Sequence, residues 1–121
     1  MVLQILPQDF SVCKVNDSKD IDLTDEFVFV GKTDEEISLV CATVSAPADC
    51  IREVGWRTFR IAGELDFSLV GIIAKISGVL TEAGISLFVV STYNTDYVLV
   101  KEENLDAAVR ALTGAGYDVS G

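Results

Sequence analysis

The chain contains no histidine, and only nine lysine and arginine residues stand against nineteen aspartate and glutamate residues. Without histidine it lacks the commonest general base, the serine–histidine–aspartate triad and every zinc site with a histidine ligand. The formal net charge of −10 and the sequence pI of about 4.2 oppose binding to polyanions. We therefore expect no catalysis, and neither nucleic acid nor an anionic membrane surface as a partner.

Cysteine is also sparse. Cys13, Cys41 and Cys50 are widely spaced, with no Cys-x-x-Cys pair, which is typical of buried free thiols in a reducing compartment. No apolar run approaches the roughly 20 residues of a membrane-spanning helix, and Pro7 and Asp9 come too early for a secretory signal. These features predict a cytoplasmic protein without a metal or a cofactor.

The chain does have enough apolar residues to build a core. It is 121 residues long and 50% hydrophobic, which suits a self-supporting fold without staples. The sequence changes character near residues 49–55, where a strand-like first half gives way to alternating strands and helices. We therefore predict two modules, residues 1–54 and 55–121.

The second module begins with a strand and a helix. Arg57–Ala62 alternates, with Phe59 and Ile61 on one face, as a half-buried strand does. A helical stripe follows and ends before Gly84, a suitable residue for a helix C-terminus; the stripe comprises Leu69, Ile72, Ile73, Ile76, Val79, Leu80 and Ala83.

A hairpin, a second helix and an edge strand complete this module. Ser86–Ser91 and Tyr97–Lys101 are rich in β-branched and aromatic residues and flank a polar turn. Asn104 is the predicted N-cap of a helix with an apolar stripe of Leu105, Ala108, Val109 and Leu112. Tyr117–Val119 returns as a strand. The order β-α-β-β-α-β predicts an α+β, ferredoxin-like fold with both helices on one sheet face.

The first module is predicted to be a shortened βαββ unit, a degenerate copy of the second module. Its predicted strands are Val2–Leu6, Phe10–Val15, Phe27–Lys32 and Ile37–Val44, with a tight acidic turn at Thr33–Glu36. Asn16–Glu26 carries five acids and one lysine, which suits a solvated loop or one short helix.

One corner of the second module is suited to a ligand. In Gly63–Gly71, where the strand leads into the helix, the first helical amides have no intrahelical partner and would bind a carboxylate. Gly71 permits close approach to the backbone. Asp66 and Ser68 are either ligand contacts or plain N-cap residues.

The hairpin turn Thr92–Asp96 should lie at the same edge of the sheet. It is dense in hydroxyl and amide groups, and Asp96 is suited to pair with a ligand ammonium group. Asn94 and Asp96 are equally common in turns that bind nothing. An amide-rich helix start and a carboxylate together would complement a zwitterion.

These segments resemble a known family. Asp66–Ile73 (DFSLVGII) and Leu80–Ser86 (LTEAGIS) are similar to the strand-to-helix signature of ACT domains, the small-molecule-sensing modules of amino-acid metabolism. Ser91–Val100 (STYNTDYVLV) and Gly55–Ile61 (GWRTFRI) resemble the CASTOR-type and aspartokinase-like branch. The first half resembles the degenerate N-terminal ACT module of that branch, so a tandem ACT arrangement is implied.

The resemblance implies a regulatory protein that holds an amino-acid effector between paired ACT modules without turning it over. Carried over by position, the ligand contacts are Ser68, Leu69, Val70, Gly71, Ile72, Thr92, Tyr93 and Asp96, and Asp66 is added on the physical argument. Arginine-binding CASTOR-type sensors carry an acidic residue at the position of Leu69, so a smaller or less basic amino acid is favoured here. Those sensors hold four ACT modules, which implies a homodimer for this chain.

Three other interpretations use the same residues. The chain could be a dimeric ACT-fold interaction protein that has lost its ligand. Gly55-Trp56-Arg57 also suggests the glycine-flanked anion loop of acylphosphatases, which share the ferredoxin-like topology. An RNA-recognition module shares it too, but that module needs exposed strand aromatics and basic surroundings, which the aliphatic Tyr97–Val100 and the acidic charge do not supply.

Overall fold

The computed structural model describes residues 1–62 and 71–121. Within them the chain forms eight strands and two α-helices. The strands are β1 (Val2–Ile5), β2 (Phe10–Val15), β3 (Val28–Lys32), β4 (Ile37–Ala42), β5 (Ile51–Ile61), β6 (Leu87–Ser91), β7 (Asp96–Lys101) and β8 (Asp118–Ser120), and the helices are α1 (Ile72–Glu82) and α2 (Leu105–Gly114). The chain forms two compact units: the N-terminal unit is Gln8–Trp56, and the C-terminal unit is Met1–Pro7 with Arg57–Gly121.

The C-terminal unit is a sheet with two helices on one face. Its strands are ordered β6-β7-β5-β1-β8. Buried residues of the sheet and of both helices form one core: Leu3, Phe59, Ile61, Ile76, Leu80, Ile85, Val98, Val100, Ala108 and Leu112. The predicted ferredoxin-like α+β fold is confirmed. The predicted stripe of α2 and residues 72–80 of the α1 stripe contribute to this core, whereas Ala83 is exposed and Leu69 lies outside the described residues.

Strand β1 adds a fifth strand to this sheet. It pairs antiparallel with β5, with Leu3 opposite Ile61, and parallel with β8, with Val2 opposite Asp118. Leu3 is 1% exposed within the core of the C-terminal unit. The N-terminal residues therefore pack with the second half of the chain, whereas the sequence suggested modules of 1–54 and 55–121.

Glycine ends helix α1 as the sequence predicted. Gly84 has φ of +77°, its N–H donates to the Thr81 carbonyl at 2.9 Å, and the Ile85 N–H donates to the Leu80 carbonyl at 2.9 Å. These two bonds form a Schellman motif, which satisfies carbonyls that a helix end otherwise leaves unpaired. Gly116, with φ of +98°, ends α2 in the same way.

The helix starts differ from the prediction. Helix α1 begins at Ile72, after Gly71 in a left-handed conformation, whereas the predicted apolar stripe starts at Leu69. The cap position of α1 is therefore Gly71; the predicted caps Asp66 and Ser68 lie, with Leu69, outside the described residues. Asn104 precedes α2 as predicted, but its side chain makes no capping bond because a 3-10 turn leads into the helix.

The N-terminal unit contains β3, β4, β2 and the first part of β5, in that order. A bulge in β5 lies opposite β2: Phe10 faces Trp56 while Val12 faces Glu53, so β5 has one extra residue. Gly55, with φ of +84°, lies in this bulge, where a left-handed conformation favours glycine. The acidic segment 16–26 is mostly exposed, as predicted, and contains one short 3-10 turn.

The three cysteines meet in the core of the N-terminal unit. Cys13 and Cys41 are buried, and the half-buried Cys50 packs against them and donates its thiol to the Pro47 carbonyl at 3.2 Å. Burial is the main cause that raises the pKa of Cys13 to about 12; a hydrogen bond between the Cys13 thiol and the Cys50 sulfur and the neighbouring thiols Cys41 and Cys50 act in the same direction. Burial likewise raises the pKa of Cys41. All three are free thiols, as predicted.

The two units repeat one hairpin at a constant offset of 59 residues. The matching starts are Val28 and Leu87 for the first strands, Ile37 and Asp96 for the second strands, and Thr43 and Glu102 for the 3-10 turns that follow. In the first copy the N–H of Thr33 donates to the carbonyl of Glu36 at 2.9 Å, and in the second that of Thr92 donates to Thr95 at 2.9 Å. The predicted degenerate copy is therefore evident in the backbone of the hairpin and of the 3-10 turn that follows it.

The two copies diverge at Pro47. After the 3-10 turn Thr43–Ser45, Ala46 is extended, with φ of −65° and ψ of 139°. At the matching position Leu105 is helical, with φ of −58° and ψ of −48°, and begins α2. Proline disfavours the helical conformation in the residue before it, so Pro47 stops the helix that the second copy forms.

Candidate functional site

The loop between β6 and β7 is a four-residue turn held by its two threonines. The backbone N–H of Thr92 donates to the carbonyl of Thr95 at 2.9 Å. The Thr92 hydroxyl donates to the same carbonyl at 3.1 Å and accepts the Thr95 N–H at 3.4 Å. The predicted ligand residue Thr92 is therefore engaged in building the turn.

A second bond joins this turn to the end of β5. The Thr95 hydroxyl donates to the backbone carbonyl of Ile61 at 2.8 Å, and Thr95 is only 7% exposed. Ile61 is the last residue of β5, from which the chain continues toward α1. The turn therefore lies beside the end of β5, the strand that the predicted ligand corner follows in the sequence.

Asp96 lies at the base of the turn, directly opposite Ser91. The Ser91 hydroxyl donates to Oδ1 of Asp96 at 2.5 Å, and Asp96 is half-buried. A hydroxyl bonded to a carboxylate oxygen restricts the rotation of the carboxylate. Asp96 is therefore a held acceptor, and no hydrogen bond from residues 1–62 or 71–121 uses its other oxygen, Oδ2.

The other side of the predicted site is the start of α1. The first helical bond runs from the Lys75 N–H to the Gly71 carbonyl at 2.9 Å, so the amides of residues 72–74 have no carbonyl of α1 to bond. The first turn of α1 contains no acidic residue. Gly71 and Ile72 are thus at the positive end of the helix dipole.

The structure describes five of the nine residues that were predicted to contact a ligand. Thr92, Tyr93 and Asp96 lie together in one turn, and Tyr93 is 79% exposed. Gly71 and Ile72 lie where α1 begins. Four predicted contacts lie outside the described residues: Asp66, Ser68, Leu69 and Val70.

Two residues at this site were missed by the sequence reasoning, Ser91 and Thr95. A serine directly opposite an aspartate in a predicted hairpin could have signalled the first bond, because residues 91 and 96 flank the turn. No sequence signal could have found the second bond, because Thr95 and Ile61 are 34 residues apart.

The anion-loop interpretation of Gly55-Trp56-Arg57 is wrong. These residues belong to β5 and its bulge, not to a loop. The Arg57 guanidinium donates to the Leu6 carbonyl at 3.2 Å. These residues therefore do not form the loop that would bind phosphate under the acylphosphatase-like hypothesis.

The matching turn of the N-terminal unit differs in chemistry. At the offset of 59 residues, Glu36 takes the place of Thr95 and Ile37 that of Asp96. An open cavity of about 330 Å³ lies beside this turn, and Glu36 and Ile37 line it. The first copy thus keeps the turn but has no hydroxyl at the position of Thr95 and no carboxylate at the position of Asp96.

The sequence of residues 52–114 matches the ACT domain family model, and the chain belongs to that family. The predicted resemblance is thereby confirmed. Residues of this chain are 41% identical over 58 positions to the cytosolic arginine sensor for mTORC1 subunit 1 of Homo sapiens and of Bos taurus. That match covers 47% of this chain but only 18% of the sensor.

Solved structures extend the similarity over both units. Protein Atu0741 from Agrobacterium tumefaciens has a TM-score of 0.87 and 30% identity, covering 99% of this chain and 92% of that one. The ligand-free regulatory subunit of aspartate kinase from Thermus thermophilus has a TM-score of 0.65 and 12% identity, covering 94% of this chain and 96% of that one. At that identity it shows the fold alone.

Neither described helix is long and apolar enough to cross a membrane.

Proposed function

We propose that this protein is a non-catalytic regulatory module that binds a free amino acid at the corner formed by the Thr92–Asp96 turn and the start of α1. The observation that carries the proposal is the held carboxylate of Asp96, on a turn that Thr95 anchors to the end of β5. ACT-family membership and the match to an arginine sensor support an amino-acid-binding regulatory role.

The chemistry of the two sides complements a zwitterion. The ammonium group of the ligand would donate to Oδ2 of Asp96, because the Ser91 hydroxyl already uses Oδ1. The carboxylate would accept from the amides that follow Gly71. Asp66, Ser68, Leu69 and Val70 stay predicted contacts, and Leu69, where arginine-binding sensors of the CASTOR type carry an acidic residue, favours a smaller or less basic amino acid than arginine.

We further propose that the protein is a cytoplasmic homodimer. The related sensor is named as cytosolic. Dimerisation would pair the ACT modules of two chains and place the ligand at or near their interface. Sedimentation velocity with and without amino acid tests this: a monomer under both conditions would contradict the dimer.

A thermal-shift scan of the twenty amino acids tests the binding proposal. A ligand at one hundred times its dissociation constant adds about 2.7 kcal/mol of stability, so one amino acid or a chemically related group should raise the melting temperature. A flat scan at millimolar amino acid, with the oligomer intact, would instead favour an ACT-fold interaction protein that has lost its ligand.

A further inference from the structure

We infer that Thr95 is a positioning residue for amino-acid recognition: its hydroxyl sets the location of the Asp96 carboxylate by joining the turn to the end of β5. The inference rests on the proposed function, because it assigns a role within the same site. Thr95 makes no ligand contact in this scheme, since its hydroxyl is buried and already donates to Ile61.

The Thr95 hydroxyl bond differs from the other hydroxyl bonds of this turn because it joins residues that are far apart in the sequence. The hydroxyl bonds of Ser91 and Thr92 stay within residues 91–96 and shape the turn itself. The Thr95 hydroxyl reaches a carbonyl 34 residues away. Because Asp96 is the next residue, a shift of Thr95 moves the carboxylate, and a binding group must be held to within about 0.5 Å to work well.

Comparison of the two hairpin copies shows that forming the turn and fixing its position are separate requirements. In the N-terminal unit Glu36 takes the place of Thr95, and the same backbone bond closes the turn, again at 2.9 Å. The hydroxyl is therefore not needed to form this kind of turn. The copy that lacks the anchoring threonine also lacks the carboxylate, having Ile37 where the other has Asp96. Anchor and acceptor thus occur together, as expected if one serves the other.

The test compares Thr95→Val with Thr95→Ser and with a matched control, Thr58→Val. Valine keeps the shape of threonine and removes the bond, while serine keeps the hydroxyl. Thr58 is a fully buried threonine of the same unit whose hydroxyl has no hydrogen-bond partner within residues 1–62 and 71–121, so its replacement removes no such bond. Thermal melts first establish that each variant is folded.

Binding is measured by calorimetry with two probes: the L-amino acid that most stabilises the wild-type protein in the scan, and the carboxylic acid that lacks only its α-amino group. The ammonium group is what Asp96 would recognise, so the ratio of the two affinities reports on the position of Asp96. We expect Thr95→Val to lower that ratio at least tenfold, and Thr95→Ser and Thr58→Val to change it by less than about threefold.

Two outcomes would overturn the inference alone while leaving the proposed function in place. One is that the Thr95→Val protein binds the amino acid as tightly as the wild-type protein does and shows the same ratio of the two affinities. The other is an equal loss of affinity for both probes, which would mean that Thr95 only stabilises the fold. Absence of binding by the wild-type protein to all twenty amino acids would overturn the proposed function and the inference together.

Discussion

Ser91 and Asp96 form the last residue pair of the β6–β7 hairpin, and the serine hydroxyl donates to the aspartate carboxylate at 2.5 Å. This pair lies at the base of the turn that Thr95 joins to β5. The carboxylate is thus held from two directions, by a side chain across the hairpin and by the anchored backbone beside it. A held acceptor binds better than a mobile one because less conformational entropy is lost on binding.

Replacing Asp96 by alanine should lower amino-acid affinity at least tenfold, because a hydrogen bond to a charged group contributes about 1.5–3 kcal/mol. The fold should survive, since Asp96 is only half-buried. Calorimetry measures the affinity and a thermal melt the fold. Asp34→Ala, in the matching turn of the N-terminal unit, is the control and should bind normally. Unaltered binding by Asp96→Ala would show that the ammonium partner is another group.

Two glycines of the α1 region should respond to alanine with opposite signs. Gly71 has φ of +83°, so an alanine there would cost about 1–2 kcal/mol of stability through backbone strain. Gly78 lies inside α1, and a Cβ there would meet no atom within 4 Å; alanine should add about 0.5–1 kcal/mol. Urea unfolding measures both, and a stabilised Gly71→Ala protein would contradict the left-handed cap.

The buried thiol of Cys13 should make stability fall in alkaline solution. Its pKa is about 12 in the folded chain against an ordinary 9.0, so between these values the unfolded chain loses a proton that the folded chain keeps. Stability should therefore fall as pH rises above about 9, by about 1 kcal/mol per pH unit from this group. Denaturant unfolding at several pH values, compared with Cys13→Ala, isolates the effect; equal slopes in both proteins would refute it.

Each chain should bind one amino acid, not two. The hairpin turn occurs twice, but only the second copy carries Thr95 and Asp96, while the first has Glu36 and Ile37. Titration calorimetry should therefore give a stoichiometry near one per chain. A value near two would indicate that the cavity beside Thr33–Glu36 also takes the ligand.

Much of the C-terminal unit could be predicted because its signals are local. The alternation around Phe59, the apolar stripe of α1 from Ile72 to Leu80 and Gly84 after it all follow from residues within one element, and each lies where predicted. The start of α1 could not be predicted as well. A left-handed glycine stops helical geometry at Gly71, although the apolar spacing alone would allow the helix to extend back to Leu69.

The sequence by itself determined the fold class, the family and the turn that carries Asp96, because hydrophobic period, turn chemistry and local motifs are written in neighbouring residues. The tertiary structure decided which distant residues meet: Leu3 in the core of the second half, three cysteines in one cluster, and Thr95 on the carbonyl of Ile61. These contacts depend on strand pairing across tens of residues. Such pairing depends on which strands bury apolar residues together in the folded chain. The pattern of neighbouring residues does not contain that information.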